Sequence, residues 1–230
     1  MKIAIIYRGF YYREDEKKGG TNFLDYVNNH KTQFHSFADA DLFFETHPCG
    51  FRFDEKLVNS LNWKAYNFNE SNENCMDSIL NSLKIFSFHR YDFIIITRFD
   101  LFFNSSFSDF DVDYDKFNFL WREPKQCDGI NGMPRICDHM ICFPTKYLRR
   151  FDKIDLNDPN IVKYIDQVKT MLPIPEQKGH HLNQFLGLNF DSDVNLMIAK
   201  DFEILSGHEH EEQRISKYLV LARNRDLMND

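Results

Sequence analysis

The chain has 230 residues, 43% hydrophobic and 16% aromatic, which suits one domain with a core that needs no disulfides. A net charge of −7 without any basic block argues against nucleic acid as a partner, and no apolar run approaches the roughly 20 residues of a membrane span. Cys49, Cys75, Cys127, Cys137 and Cys142 lack CxxC spacing, and Met1 to Tyr7 is too short for a signal peptide, so a reducing, cytoplasmic location is expected.

Lys2 to Tyr7 is an apolar, β-rich run that predicts a first strand. It delivers Arg8-Gly9-Phe10-Tyr11-Tyr12-Arg13 into a loop. There Gly9 can take a positive φ, Arg8 and Arg13 are natural phosphate donors, and the rings between them are of a kind that stacks on a base. Phe23, Tyr26, Val27 and Phe34 have helical spacing over Asn22–Phe37, with Thr21-Asn22 as a cap. A second strand is predicted over Asp41–Thr46, a short helix over Phe51–Ser60 and a third strand over Lys64–Asn69. Strand alternating with helix is the order of a doubly wound sheet. Met76, Ile79, Leu80, Leu83 and Phe86 form the apolar stripe of a helix over Asn74–Phe88. Neither GxGxxG nor GxxxxGK[ST] occurs, which removes dinucleotide and P-loop readings.

The stretch Tyr91–Phe103 organises the rest. Phe93-Ile94-Ile95-Ile96 is too short for a helix and shows no polar alternation, so it reads as a strand buried on both faces. It runs into Thr97-Arg98-Phe99-Asp100, and open α/β sheets bind their ligands at the carboxyl ends of strands. A carboxylate and a guanidinium at such a place can hold a metal and a phosphate.

This block resembles the DxD motif of GT-A glycosyltransferases, in a variant with Arg in place of the first Asp. Arg98-Phe99-Asp100 followed by Leu-Phe-Phe is similar to small glycosyltransferase-like proteins of large DNA viruses and of bacterial polysaccharide synthesis. The resemblance implies an α/β chain: a single GT-A-like, Rossmann-related domain with a mixed, mostly parallel central sheet flanked by helices. Residues 1–103 would be its nucleotide-sugar-binding half and 104–230 its acceptor-side half. The implied activity moves a hexosyl or deoxyhexosyl group from a UDP- or GDP-linked donor to a glycan, glycoprotein or other hydroxyl acceptor. Arg8, Gly9, Arg13, Arg98 and Asp100 would contact the donor, and Asp100 would ligate the Mn²⁺ or Mg²⁺ that bridges its diphosphate. With Arg98 one metal-proximal carboxylate is missing, so either the cation is held less tightly or Arg98 itself neutralises part of the charge.

Beyond Phe103, Asp111-Val112-Asp113 is a literal DxD. It precedes the predicted strand Lys116–Trp121, however, and so belongs to the far edge of the sheet as an acidic turn. Cys127–Arg135 is a glycine-containing loop suited to the acceptor side. Ile136–Pro144 predicts a strand with Asp138 and His139 near its start, on opposite faces. The resemblance makes Asp138 the first candidate for sugar recognition or general base, and Glu176 the second. An amphipathic helix over Asp158–Leu172 is stopped by Pro173-Ile174-Pro175, and a short helix follows within Glu176–Leu188. Short strands are expected at Val194–Ala199, Phe202–Leu205 and Tyr218–Ala222. By the resemblance, His208 or His210 would add a metal ligand. The alternatives are a catalytically silent sugar- or nucleotide-binding module of the same fold, and a phosphohydrolase or nucleotidyltransferase, whose metal sites need clustered acids.

Overall fold

The structure, a computed structural model, describes residues 1–13, 21–34, 37, 39–70, 75–121, 134–155, 157–171, 182–199 and 219–221. In chain order its first elements are β1 (Ile3–Arg8), β2 (Tyr12–Arg13), β3 (Thr21–Asn22), α1 (Val27–Gln33), β4 (Asp41–Thr46), α2 (Phe51–Val58), β5 (Trp63–Phe68) and α3 (Cys75–Ile85). Then come β6 (Phe93–Arg98), β7 (Leu101–Phe103), β8 (Phe117–Trp121), β9 (Met140–Pro144), α4 (Leu148–Phe151) and α5 (Pro159–Met171). The described chain closes with α6 (Leu182–Phe185), α7 (Phe190–Asp193), β10 (Val194–Ala199) and β11 (Leu219–Leu221).

Seven strands form the central sheet in the order β10-β8-β9-β6-β1-β4-β5. All neighbours pair in parallel except β9, which runs antiparallel to both β6 and β8. The sheet is therefore mixed and mostly parallel. The apolar runs predicted from sequence are covered on both sides, as parallel strands under crossover helices must be. Alternate residues go to opposite faces. Ile5, Tyr7, Phe44 and Ile95 share a core with Tyr26, Phe34 and Leu57. Ala4, Ile6, Phe43, Ile94 and Ile96 meet Met76, Ile79 and Leu80 of α3 and Leu148 and Phe151 of α4. The first of these cores is dominated by rings, with Phe99 packed against Tyr7 and Phe23 at centroid distances of 5.4 and 5.0 Å.

Three elements depart from the sequence expectation. The helix expected over Asn22–Phe37 is broken at Tyr26, whose φ of −133° follows a single 3₁₀ turn at Phe23–Asp25 capped by the Asn22 side chain. The break lets both Phe23 and Tyr26 reach the core, where the Tyr26 hydroxyl donates to the Phe99 carbonyl at 2.7 Å. The Tyr91–Phe103 stretch is two strands. After Arg98 the chain turns at Phe99-Asp100 and leaves the main sheet, and β7 pairs antiparallel with β11 through Leu101↔Leu221 to Phe103↔Leu219. Finally, Asp138 and His139 lie ahead of β9 rather than inside it, because Thr97↔Met140 is the last pair that β6 offers. The predicted strand Phe202–Leu205 lies outside the described residues.

Candidate functional site

The parallel strands bring their carboxyl ends to one edge. Reading across the sheet, that edge presents Ala199, Trp121, Arg98, Arg8, Thr46 and Phe68, with Asp138 and His139 entering between Trp121 and Arg98 ahead of the reversed β9. The residues singled out on β1, at the end of β6 and ahead of β9 therefore share one edge, although 130 positions separate Arg8 from Asp138.

Arg98 is the last residue of β6, and the turn at Phe99-Asp100 folds the Asp100 carboxylate back onto its guanidinium. The residue between them, Phe99, is fully buried, and its N–H donates to the Arg8 carbonyl at 3.2 Å. With Phe99 fixed in the core, both charged neighbours are directed outward. Arg98 Nε donates to Asp100 Oδ1 at 2.7 Å and Nη2 to Oδ2 at 2.5 Å, a side-on fork in which the carboxylate is engaged through both oxygens. The pair is partly open to solvent, at 25% for Arg98 and 17% for Asp100.

On the neighbouring strand, where Arg8 pairs in register with Arg98, stands a second pair that is almost sealed. Arg8 reaches past the end of β6, where its Nη2 donates to the Asp138 carbonyl and sits 3.6 Å from Asp138 Oδ2. The two side chains are only 4% and 7% exposed. The expected phosphate ligand and the expected general base are thus each other's partners. His139 has a different neighbour, standing edge-on to Trp121 at 5.7 Å.

The loop after β1 is shaped by Gly9, whose φ is +84°. A Cβ there would meet nothing within 4 Å, so the backbone angle and not space sets the need for glycine. Thr46, the last residue of β4, fixes this loop by donating from Oγ1 to the Gly9 carbonyl at 2.6 Å. The three rings expected to stack on a base separate in role. Tyr11 is buried and donates to Asp54 at 2.5 Å, and Tyr12 stacks on Phe53 at 4.3 Å. Phe10 stays 44% exposed and stacks on His47 at 4.6 Å. The side chain of Arg13 and all of Glu176, His208 and His210 lie outside the described residues.

One acid at this edge was not singled out from sequence. Glu45, beside Arg8 in the strand register, is 2% exposed and accepts from Asn69 Nδ2, Ser78 Oγ and Ser82 Oγ at 3.0 to 3.1 Å. Its signal was present: a Glu one residue before the end of an otherwise apolar β4 run, with Ser78 and Ser82 four apart on one face of α3. The literal DxD lies away from the carboxyl edge, Asp111 alongside β10 and Asp113 at the amino end of β8. Asp113 there accepts from the Asp115 N–H at 2.9 Å and sits 3.8 Å from Lys116 Nζ.

A divalent cation was expected at Asp100. To bind there it would have to displace a guanidinium held by two short hydrogen bonds, or sit within about 4 Å of it. A unit charge at that distance costs roughly 4 kcal/mol at an effective dielectric constant near 20, and a divalent ion about twice as much. Among the described residues no group of three His, Cys, Asp or Glu side chains could hold a metal ion. As arranged here, Asp100 fits the role of counter-ion to Arg98 better than that of cation ligand.

The sequence matches no family model and none of the curated proteins. Solved structures do match. One is 4-diphosphocytidyl-2C-methyl-D-erythritol synthase from Anaerococcus prevotii, at 12% identity and a TM-score of 0.51, covering 99% of this chain and 96% of that one. Another is the galactosyltransferase LgtC in complex with donor and acceptor sugar analogs, at 10% identity and a TM-score of 0.50, covering 95% of this chain and 86% of that one. At these identities the likeness is one of fold, and the fold is GT-A-like. Among the described residues no helix is long and apolar enough to cross a membrane.

Proposed function

We propose that the chain is a transferase that takes a sugar from a nucleoside-diphosphate donor and passes it to a hydroxyl acceptor, with a glycan as the acceptor class. The observation that carries this reading is the Arg98–Asp100 fork, partly exposed at the carboxyl end of β6 on a GT-A-like sheet. Ligands of open α/β sheets bind at that edge. In this reading the leaving diphosphate gains charge facing Arg98, with Gly9 and Phe10 lining the nucleotide side. Asp138, tied to Arg8, holds that arginine across the end of β6. The second candidate base, Glu176, belongs to the acceptor half, 104–230, as the donor contacts belong to 1–103.

The test is calorimetric titration with UDP-, GDP- and dTDP-sugars, followed by assay of free nucleoside diphosphate in the presence of glycan acceptors. One donor should bind, and Asp100→Asn and Arg98→Gln should each weaken it at least ten-fold with the fold intact. Full binding by both variants would remove the assignment of the edge. A second reading, nucleotidyl transfer, draws support from the fold shared with the diphosphocytidyl-erythritol synthase over nearly all of both chains. Pyrophosphate release would favour it. Binding without any release would favour a silent module.

A further inference from the structure

We propose that this edge takes up a nucleoside diphosphate without a divalent cation, the Arg98 guanidinium standing in the cation's place. The proposal rests on the nucleotide-donor reading above and concerns how that same edge balances charge. Two carboxylates sharing one divalent cation make a locally neutral unit, and so does Arg98 with Asp100. The difference is that the positive member is covalently part of the chain. It is also aimed: the Nε and Nη2 bonds to Asp100, at 2.7 and 2.5 Å, fix the plane of the guanidinium, and Phe99 in the core fixes the backbone between the two residues. A planar donor held in this way suits phosphate oxygens better than a free lysine-like point charge.

Among the described residues, three acids at this edge, Asp100, Asp138 and Glu45, are held by organic donors. Asp100 accepts two bonds from Arg98. Asp138 lies against Arg8, with both side chains buried. Glu45 accepts from Asn69, Ser78 and Ser82. A cation ligated by any of these three would have to strip an arginine or a set of three donors from its acid, and each of those donors would be left without its acceptor. The Arg in the first position of the motif is, in this light, what makes the site independent of metal.

The experiment uses the full chain, Asp100→Asn and Arg98→Gln, each checked for fold by circular dichroism. Uptake of Mn²⁺ is read from the free-ion electron paramagnetic resonance signal, alone and with UDP, GDP or dTDP at matched concentrations. Nucleotide affinity is read by equilibrium dialysis in EDTA and in Mn²⁺. The wild type should take up no more Mn²⁺ than Asp100→Asn under any of these conditions. The nucleotide that binds should do so within two-fold in EDTA and in Mn²⁺. Arg98→Gln should weaken that binding ten-fold or more in EDTA. Mn²⁺ uptake by the wild type that Asp100→Asn abolishes would overturn the proposal, as would nucleotide binding that needs Mn²⁺ or that ignores Arg98→Gln in EDTA. If none of the three nucleotides binds, the donor reading falls, and the Mn²⁺ comparison on the nucleotide-free protein still decides whether Asp100 is a cation ligand.

Discussion

The two edges of the central sheet handle charge in opposite ways. At the amino edge Asp41, the first residue of β4, is ringed by Lys2 at 3.9 Å, Lys64 at 3.7 Å and the Tyr91 hydroxyl at 2.6 Å, and both lysines are about half exposed. Asp113 lies at the same edge, in the turn before β8, and Asp111 lies outside β10, its N–H donating to the Met197 carbonyl at 3.0 Å. The lysine contacts are loose and solvated, of the kind that contribute little. At the carboxyl edge the pairs are short or sealed, and each lies where a strand stops. Burying an ion pair is seldom the most stable choice, since desolvation consumes most of the attraction. The carboxyl edge therefore spends stability on fixing charge, while the amino edge uses charge to keep strand starts soluble.

The contrast is sharpest in Arg8→Ala. It leaves Asp138 buried without its guanidinium and should cost about 3–5 kcal/mol in urea denaturation. A loss under 1 kcal/mol would mean that the two edges do not differ.

The next test is pH. His30 packs among Tyr7, Phe23 and Phe103, and its Nε2 donates to the Leu101 carbonyl at 2.6 Å, just past the carboxyl edge. Burial lowers its pKa from 6.5 to about 4. The unfolded chain thus binds a proton below pH 6.5 that the folded chain refuses until about pH 4, so stability falls across that window as the pH drops, by about 3 kcal/mol. In His30→Gln this part of the slope should vanish. Asp41 behaves differently: the Tyr91 hydrogen bond holds its carboxyl below the ordinary 3.8, so its contribution is present above that value and fades only under more acid conditions. Asp41→Asn should cost less than about 1 kcal/mol at pH 7. Smallest of all, Asp111→Asn should change stability by no more than about 0.5 kcal/mol and leave donor binding unaltered.

How legible this was in the sequence follows the range of the interactions. β4 and β10 appear with the bounds expected, and β5, α2, α3 and α5 within a few residues, because apolar period and local stops are written in neighbouring positions. The Arg98–Asp100 fork needs only the end of a strand and the turn that follows it, so it too could be anticipated as a place. What escaped was partnership across the sheet. Nothing near Arg8 says that it will be covered, or that Asp138 will cover it. That depends on β9 entering the sheet in reverse beside β6, which joins segments far apart in the chain. The same holds for Glu45, whose three partners come from the loop after β5 and from α3. The local break at Tyr26 was missed for a related reason, since the ring contacts that reward it lie on β1 and at Phe99.

The turn that carries Asp100 is held very differently on its two sides. Before it stands β6, locked between β1 and β9 in the middle of the sheet. After it comes β7, which belongs to a ribbon of two strands three residues long. A ribbon that short is marginal by itself, and β7 is held instead from the side of α1: Leu101 and Phe103 are buried, the Phe103 N–H donates to Asn29 Oδ1 at 2.8 Å and His30 donates to the Leu101 carbonyl at 2.6 Å. Amide hydrogens of Leu101–Phe103 should exchange faster than those of Phe93–Arg98, which have a paired strand on both sides. Asp100 thus stands between a backbone fixed by sheet pairing and one fixed by side chains of α1, so a change at Asn29 or His30 reaches it as directly as a change in the sheet.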